Sequence, residues 1–179
     1  MSIIKQAVEQ AAKNERLHLG AGNRVKKGWV NHDLTAHRPE IEVVHNLNVL
    51  PWPFKDETFK IIVALNLFEH LDIDLVTSLD ECWRILQPGG VLEVKMPNSD
   101  DIVRCWDDPT HRRPYSFASF NPVDIKQADN ERYNFYTDRK WQIEEKGYAG
   151  QQRSDGAWYD GVWTSIKVTL MKPKGGGKK

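Results

Sequence analysis

Arg16-Leu17-His18-Leu19-Gly20-Ala21-Gly22-Asn23 is an apolar run that ends in two closely spaced glycines, and a second short run, Trp29 to Leu34, carries Asp33 near its end. Glycines at the end of a strand let the backbone turn sharply and approach a ligand with no Cβ in the way. A carboxylate at the end of the next strand can accept both hydroxyls of a ribose. Together they predict a nucleoside site at neighbouring strand ends. Only ten residues separate Gly22 from Asp33, too few for a full helix, so Asn23 to Gly28 is expected to be an open loop or a single turn.

Working outward, the runs Ile41 to Val44, Phe59 to Leu65 and Val91 to Met96 are each stopped by Gly, Pro, Asn or Asp and predict further strands of one sheet. Between the last two, Asp74 to Leu86 places Leu75, Leu79, Cys82, Trp83 and Leu86 at helical spacing and runs into Gln87-Pro88-Gly89-Gly90. Strand, helix, stop and strand make a crossover unit, with parallel pairing and a right-handed connection, so the fold class is α/β. Residues 2 to 14 set Ile4, Ala7, Val8, Ala11 and Ala12 on one face and predict an amphipathic helix before the first strand. After Pro97 the pattern loosens: Asp100 to Trp106 reads as a short helix and Asp107 to Ser119 as an irregular charged and aromatic segment. Regularity returns in two alternating runs, Lys140 to Glu145 and Ser165 to Met171, which predict strands closing the far edge, with the Gly- and Trp-rich Gly147 to Trp163 between them.

A chain of 179 residues that is 40% hydrophobic buries one substantial core. A single domain is therefore expected over residues 1–171, followed by a flexible basic tail at 172–179. Lys and Arg number 25 and so do Asp and Glu. The zero net charge supplies no general pull toward nucleic acid or an anionic membrane, which disfavours nucleic acid as partner. Cys82 and Cys105 form no ligand-spaced cluster, so neither a structural zinc nor a disulfide framework is expected. The N-terminus lacks a charged-then-apolar signal and no apolar run reaches the length of a membrane span, so a cytoplasmic location is expected.

Three more pieces join the opening motif: Asn46-Leu47-Asn48-Val49-Leu50-Pro51-Trp52-Pro53-Phe54 with its continuation to Phe59, Ala64-Leu65-Asn66-Leu67-Phe68-Glu69-His70-Leu71, and Trp83 to Leu92. In this order and spacing the chain resembles the class I S-adenosylmethionine-dependent methyltransferases over about residues 15–98. The short gap before Asp33 is similar to a compact branch of phage and cell-surface methyltransferases. The resemblance implies a Rossmann-like, doubly wound and mostly parallel sheet of about seven strands with an antiparallel last strand. The cofactor-binding core would be 15–98 and the acceptor side 98–163. Gly20, Ala21 and Gly22 would pass under the methionine part and the sulfonium, Asp33 would hold the ribose hydroxyls, and Leu34 would lie on the adenine face. Asn46 and Leu47 stand where the family has an acidic residue and its neighbour reading the adenine amino edge. Asn66 would end the strand facing the reactive end, and Glu69 with His70 matches a Glu-His pair of one large branch, His70 being counted with the cofactor residues. Three positions depart from the pattern: His18 replaces the usual acid, Arg24 the third glycine and Asn46 the adenine-reading carboxylate. The missing third glycine also argues against a dinucleotide.

Acceptor chemistry points to Trp106-Asp107-Asp108-Pro109-Thr110-His111-Arg112-Arg113-Pro114-Tyr115, which follows the fifth predicted strand. His111 suits a general base, Asp108 its orienting carboxylate, and Arg112 or Arg113 a grip on an anionic acceptor. Asp108-Pro109-Thr110 is also good turn chemistry, with His111 and Arg112 as braces of the loop. Tyr115, Phe117, Phe120, Tyr133, Phe135 and Tyr136 either line an acceptor pocket or build core. Nothing visible requires a metal. The expected activity is transfer of a methyl group from S-adenosylmethionine to a small-molecule or sugar hydroxyl or amine, releasing S-adenosylhomocysteine. A protein acceptor stays open, as does a homo-oligomer in which a second subunit recognises the acceptor. The rival readings are a catalytically silent cofactor-binding subunit that supports a partner, and another S-adenosylmethionine-using enzyme of the same fold.

Overall fold

The computed structural model describes residues 13–149 and 165–174. The helix expected over 2–14 lies outside them up to residue 12, and Lys13–Glu15 forms a single 3-10 turn. Seven strands follow: β1 (Arg16–Leu19), β2 (Val30–Asp33), β3 (Val43–Val44), β4 (Phe59–Leu65), β5 (Leu86–Pro97), β6 (Gln142–Ala149) and β7 (Ser165–Met171). They form one sheet in the order β3-β2-β1-β4-β5-β7-β6. The pairs β1–β2, β1–β4, β2–β3 and β4–β5 are parallel, while β7 runs antiparallel to both β5 and β6. A Rossmann-like, mostly parallel sheet with an antiparallel last strand is therefore what the chain adopts. No helix lies between β1 and β2, as the short gap requires.

Helix α1 (Leu75–Ile85) crosses from β4 to β5. It starts where Asp74 accepts a hydrogen bond from the Thr77 amide at 2.9 Å, and it buries Leu75, Leu79, Cys82, Trp83 and Ile85. That face packs on Leu17, Leu19, Ile62, Ala64, Leu92 and Val94 of the sheet, with Trp52, Phe120 and Trp141 completing the core. The Trp83 and Trp141 rings meet edge to face at 5.1 Å. A second helix, α2 (Ile102–Cys105), is a single turn inside the expected Asp100 to Trp106 segment.

Two expectations are corrected. Pro88-Gly89-Gly90 does not separate the helix from the strand, because β5 begins at Leu86 and the register shifts between Phe59 and Ile61 to take up the irregularity. Gly89 has a φ of +80°. A Cβ on Gly90 would stand 2.8 Å from the Gln87 carbonyl oxygen, so the close approach needs glycine. Lys172, assigned to a flexible basic tail, is 5% exposed. Its ammonium donates to the Leu86 and Trp83 carbonyls at 2.8 and 3.2 Å and lies 5.5 Å from the centre of the Trp83 ring. The carbonyls at the end of α1 have no partner within the helix, and a cation satisfies them. Residues 175–179 of that tail lie outside the described residues. No described helix is long and apolar enough to cross a membrane.

Candidate functional site

In the sheet order, β1 leads to β2 and β3 on one side and β4 leads to β5 on the other, so the strand order reverses between β1 and β4. The crevice at the carboxyl ends beside such a reversal is where open α/β sheets hold ligands. Gly20 and Gly22, at φ +60° and +51°, make the turn off β1. The Ala21 amide donates to the His32 carbonyl at 2.9 Å and the Gly22 amide to Asp33 Oδ2 at 2.6 Å, so the loop is tied to the end of β2. Asp33 Oδ1 also accepts from the Leu34 amide at 2.7 Å. A carboxylate has about four acceptor directions, which leaves Asp33 capacity for ribose hydroxyls. Leu34 is 60% exposed, an unfilled apolar surface beside that carboxylate.

The remaining expected cofactor residues divide. Ala21 and Leu47 are buried with 3% exposure, and the Leu47 carbonyl accepts from Trp52 Nε1, so both side chains serve packing rather than a ligand surface. Asn46 is exposed, but its amide oxygen accepts from the Asn48 amide at 3.0 Å, a turn contact that reduces its freedom to read adenine. Asn66 is exposed at the tip of β4 in the left-handed region, with φ +52°, which asparagine tolerates better than most residues. His18, at the position of the usual acid, is 1% exposed, and burial aided by Lys26 lowers its pKa to about 4. A neutral ring therefore stands where the resemblance has an anion. Taken together, Gly20, Gly22, Asp33, Leu34 and Asn66 fit a nucleoside cofactor, whereas the grip on the adenine amino edge and the methionine end differs from the family pattern.

Beside the turn off β1, Gly20 abuts Leu67, since a Cβ there would lie 2.8 Å from Leu67 Cδ1. The next residues, Phe68–His70, form a 3-10 turn. It carries Glu69, 1% exposed with both carboxyl oxygens lacking a hydrogen-bond partner, and His70. The His70 and His111 rings meet edge to face at 4.7 Å. Burial raises the Glu69 pKa to about 7, opposed by its own backbone and by His111. Burial also lowers that of His70, with His111 adding to it.

The structure brings His111 to this site but does not place Asp108 on it. Asp108 Oδ1 accepts from the Thr110 amide at 2.8 Å and from its hydroxyl at 2.6 Å, and Thr110 Oγ1 meets His70 Nδ1 at 2.9 Å. Asp108 therefore orients His70 through Thr110 because the Asp-Pro-Thr turn folds the carboxylate back on its own loop. His111 Nδ1 donates to the Cys105 carbonyl instead. The arginines brace rather than grip. Arg113 donates to the Leu71, Ile73 and Asp72 carbonyls, while the Arg112 amide donates to the Glu69 carbonyl and its guanidinium pairs with Asp72. Of the aromatic residues, Tyr115 and Phe120 are core, whereas Phe135 and Tyr136 stack on each other in solvent. In the sequence Glu69 stands out only as the neighbour of His70 and Thr110 only within the Asp108-Pro109-Thr110 turn; neither the burial of the first nor the contact of the second with His70 has a signal in the spacing. A hollow of about 620 Å³ lined by Lys26, Trp29, Asn31 and Glu42 lies by the amino ends of β2 and β3, away from these groups.

Comparison with known proteins bears on the fold. A family model described as a methyltransferase domain matches residues 26–94. A probable S-adenosylmethionine-dependent methyltransferase of Mycolicibacterium smegmatis is 39% identical over 93 residues, 51% of this chain and 34% of that protein. An uncharacterized protein of Methanocaldococcus jannaschii is 37% identical over 57 residues, 32% of this chain and 24% of its own length, so the matches span only about a quarter to a third of these curated relatives. Among solved structures, an Archaeoglobus fulgidus S-adenosylmethionine-dependent methyltransferase superposes with a TM-score of 0.63 at 12% identity, over 94% of this chain and 91% of that one. A chain of the complex between the Haloferax volcanii Trm112 methyltransferase activator and a methyltransferase gives 0.59 at 15% identity, over 94% and 88%. The fold is that of class I S-adenosylmethionine-dependent methyltransferases.

Proposed function

We propose that this chain binds S-adenosylmethionine across the carboxyl ends of β1, β2 and β4 and transfers its methyl group to an acceptor held against the 98–115 segment. The observation that carries the reading is the Gly20–Gly22 turn at the strand-order reversal, clamped by Asp33 and abutting Leu67. Gly20 and Gly22 would lie under the methionine part, Asp33 would accept from the ribose hydroxyls, Leu34 would cover an adenine face, and Asn66 would face the reactive end. The cofactor supplies an electrophilic methyl on sulfur; the acceptor atom gains it as the sulfur keeps the electron pair of the broken bond. A hydroxyl acceptor must also lose its proton, and the Nε2 atoms of His70 and His111 are the bases within the site. A small-molecule or sugar hydroxyl or amine suits a chain with no net charge, which offers no general pull on a nucleic-acid backbone. The helix-free link between β1 and β2 supports a compact branch of the fold, similar to phage and cell-surface enzymes.

Titration calorimetry with S-adenosylmethionine and S-adenosylhomocysteine tests the reading. Saturable binding of both is expected, and Asp33→Ala should weaken it by about 1.5–3 kcal/mol, the scale of hydrogen bonds to a charged group. No heat from either at millimolar concentration sinks the proposal, and unchanged affinity in a folded Asp33→Ala protein removes Asp33 from the site. A second reading, a cofactor-binding subunit silent without a partner, draws on His18, Arg24 and Asn46 and on the likeness to a chain of a complex with a methyltransferase activator. Turnover by the isolated chain separates the two.

A further inference from the structure

Glu69, His70 and His111 each offer one ligand atom, and the three atoms lie within 4.8 Å of one another. Glu69 is the unexplained member. Its side chain is 1% exposed, and neither oxygen has a hydrogen-bond partner beyond the residue's own backbone. A buried carboxylate with no partner is costly, and groups of this kind call for a counter-ion. Arg112 and Arg113, the nearest cations in sequence, are committed to Asp72 and to backbone carbonyls.

The two imidazoles are arranged to complement it. The Cys105 carbonyl can only accept, so His111 Nδ1 is the donor in their contact. The Thr110 hydroxyl gives its proton to Asp108, so it accepts from His70 Nδ1. Both rings therefore carry hydrogen on Nδ1 and leave Nε2 with a free lone pair. Metal-binding histidines are held in this way, with the second nitrogen donating to a carbonyl or, through a hydroxyl, to a carboxylate. Two imidazoles and one carboxylate suit borderline divalent ions such as zinc, manganese, iron or cobalt rather than the all-oxygen preference of magnesium and calcium.

We infer that Glu69, His70 and His111 form a binding site for a divalent transition-metal ion, with further coordination positions open to the carboxyl edge of the sheet. Ligands about 2.1 Å from such an ion stand roughly 3.0–3.5 Å apart, so small side-chain rotations close the trio around it. The site adjoins Leu67, against which Gly20 packs, and an acceptor oxygen entering an open position would be held and acidified beside the cofactor, the metal then taking the place of the two imidazole bases whose Nε2 atoms it occupies. That catalytic use rests on the methyl-transfer reading; the metal site does not.

The test is cobalt(II) titration of the full chain after chelator treatment, followed by visible absorption, with zinc uptake measured by equilibrium dialysis. One ion per chain is expected. Glu69→Gln, His70→Gln and His111→Gln should each weaken binding at least tenfold, Thr110→Val by roughly tenfold through loss of the Asp108 link, and His45→Gln, whose ring is no member of the trio and bonds the Val49 carbonyl, not at all. No saturable uptake at millimolar metal, or retained affinity in any of the three ligand variants, overturns the inference. If a ligand variant loses its fold by circular dichroism, Thr110→Val decides, and unchanged affinity there overturns it as well. Titration of S-adenosylhomocysteine into the metal-free chain reports on the cofactor site separately, so either reading can fail alone.

Discussion

Glu69 and His18 are buried ionisable residues whose pH signatures oppose each other. In the metal-free chain Glu69 keeps its proton up to about pH 7, whereas in the unfolded chain it ionises near 4.5. The folded state binds the extra proton, so its contribution is present below pH 4.5 and is lost as pH rises to about 7. His18 is neutral down to about pH 4 when folded but protonates near 6.5 when unfolded, so its contribution is present above 6.5 and is lost as pH falls. Between pH 4.5 and 6.5 the two slopes cancel, and urea unfolding of the metal-free protein should show little pH dependence from this pair. Glu69→Gln should unmask His18, with stability climbing across that interval, and should exceed the parent at pH 8 by up to about 3 kcal/mol. A flat profile in the variant would contradict the burial of His18, and no gain over the parent at pH 8 would contradict that of Glu69. His18 was recognisable in the sequence as a departure from a pattern, but its neutrality follows from enclosure, which no local spacing encodes.

At the scale of elements, α1 is locked to the loop before β4 by one arginine. Arg84 makes a forked pair with Glu81 at 2.8 and 2.7 Å, reaches Asp56 at 2.7 Å, and donates to the Phe54 and Trp52 carbonyls. Glu81 in turn accepts from the Trp52 amide at 2.8 Å. Arg84→Ala would strand a largely buried carboxylate and two carbonyls, and should cost about 3 kcal/mol in chemical denaturation. Arg84→Lys should recover only part of that, because an ammonium cannot reproduce the fork; full recovery would show that charge alone matters. The strands and α1 were legible because alternation and helical spacing record which face is buried. The start of β5 was not: Pro88-Gly89-Gly90 is good breaker chemistry in either setting, and pairing with β4 turned it into a strand irregularity.

For the whole molecule, Lys172 joins the end of β7 to the end of α1, a reach of 86 residues to the Leu86 carbonyl. Its ammonium also pairs with Glu57 at 3.2 Å. Lys172→Met keeps most of the stem but leaves helix-end carbonyls unsatisfied, so a loss of about 2 kcal/mol is expected by thermal or urea unfolding. An unchanged midpoint would return Lys172 to the status of a tail residue. The same long-range logic governs the candidate site. The glycine turn and Asp33 were readable since both sit at ends of strands whose order the sequence displays. The acceptor side was readable only as a segment rich in polar groups, because which of them meet depends on how the loop after β5 folds onto the turn after β4.

By itself, the sequence determined the order of strands and helix, the parallel crossover and a sharp glycine turn at the end of β1, because periodicity and breaker residues act over a few neighbours. Tertiary structure alone decided that Asp108 serves His70 through Thr110, forty residues away, that Glu69 is buried facing two histidines, and that the lysine after β7 caps an internal helix. Those outcomes depend on burial and on partners distant along the chain, and neither leaves a period to be read.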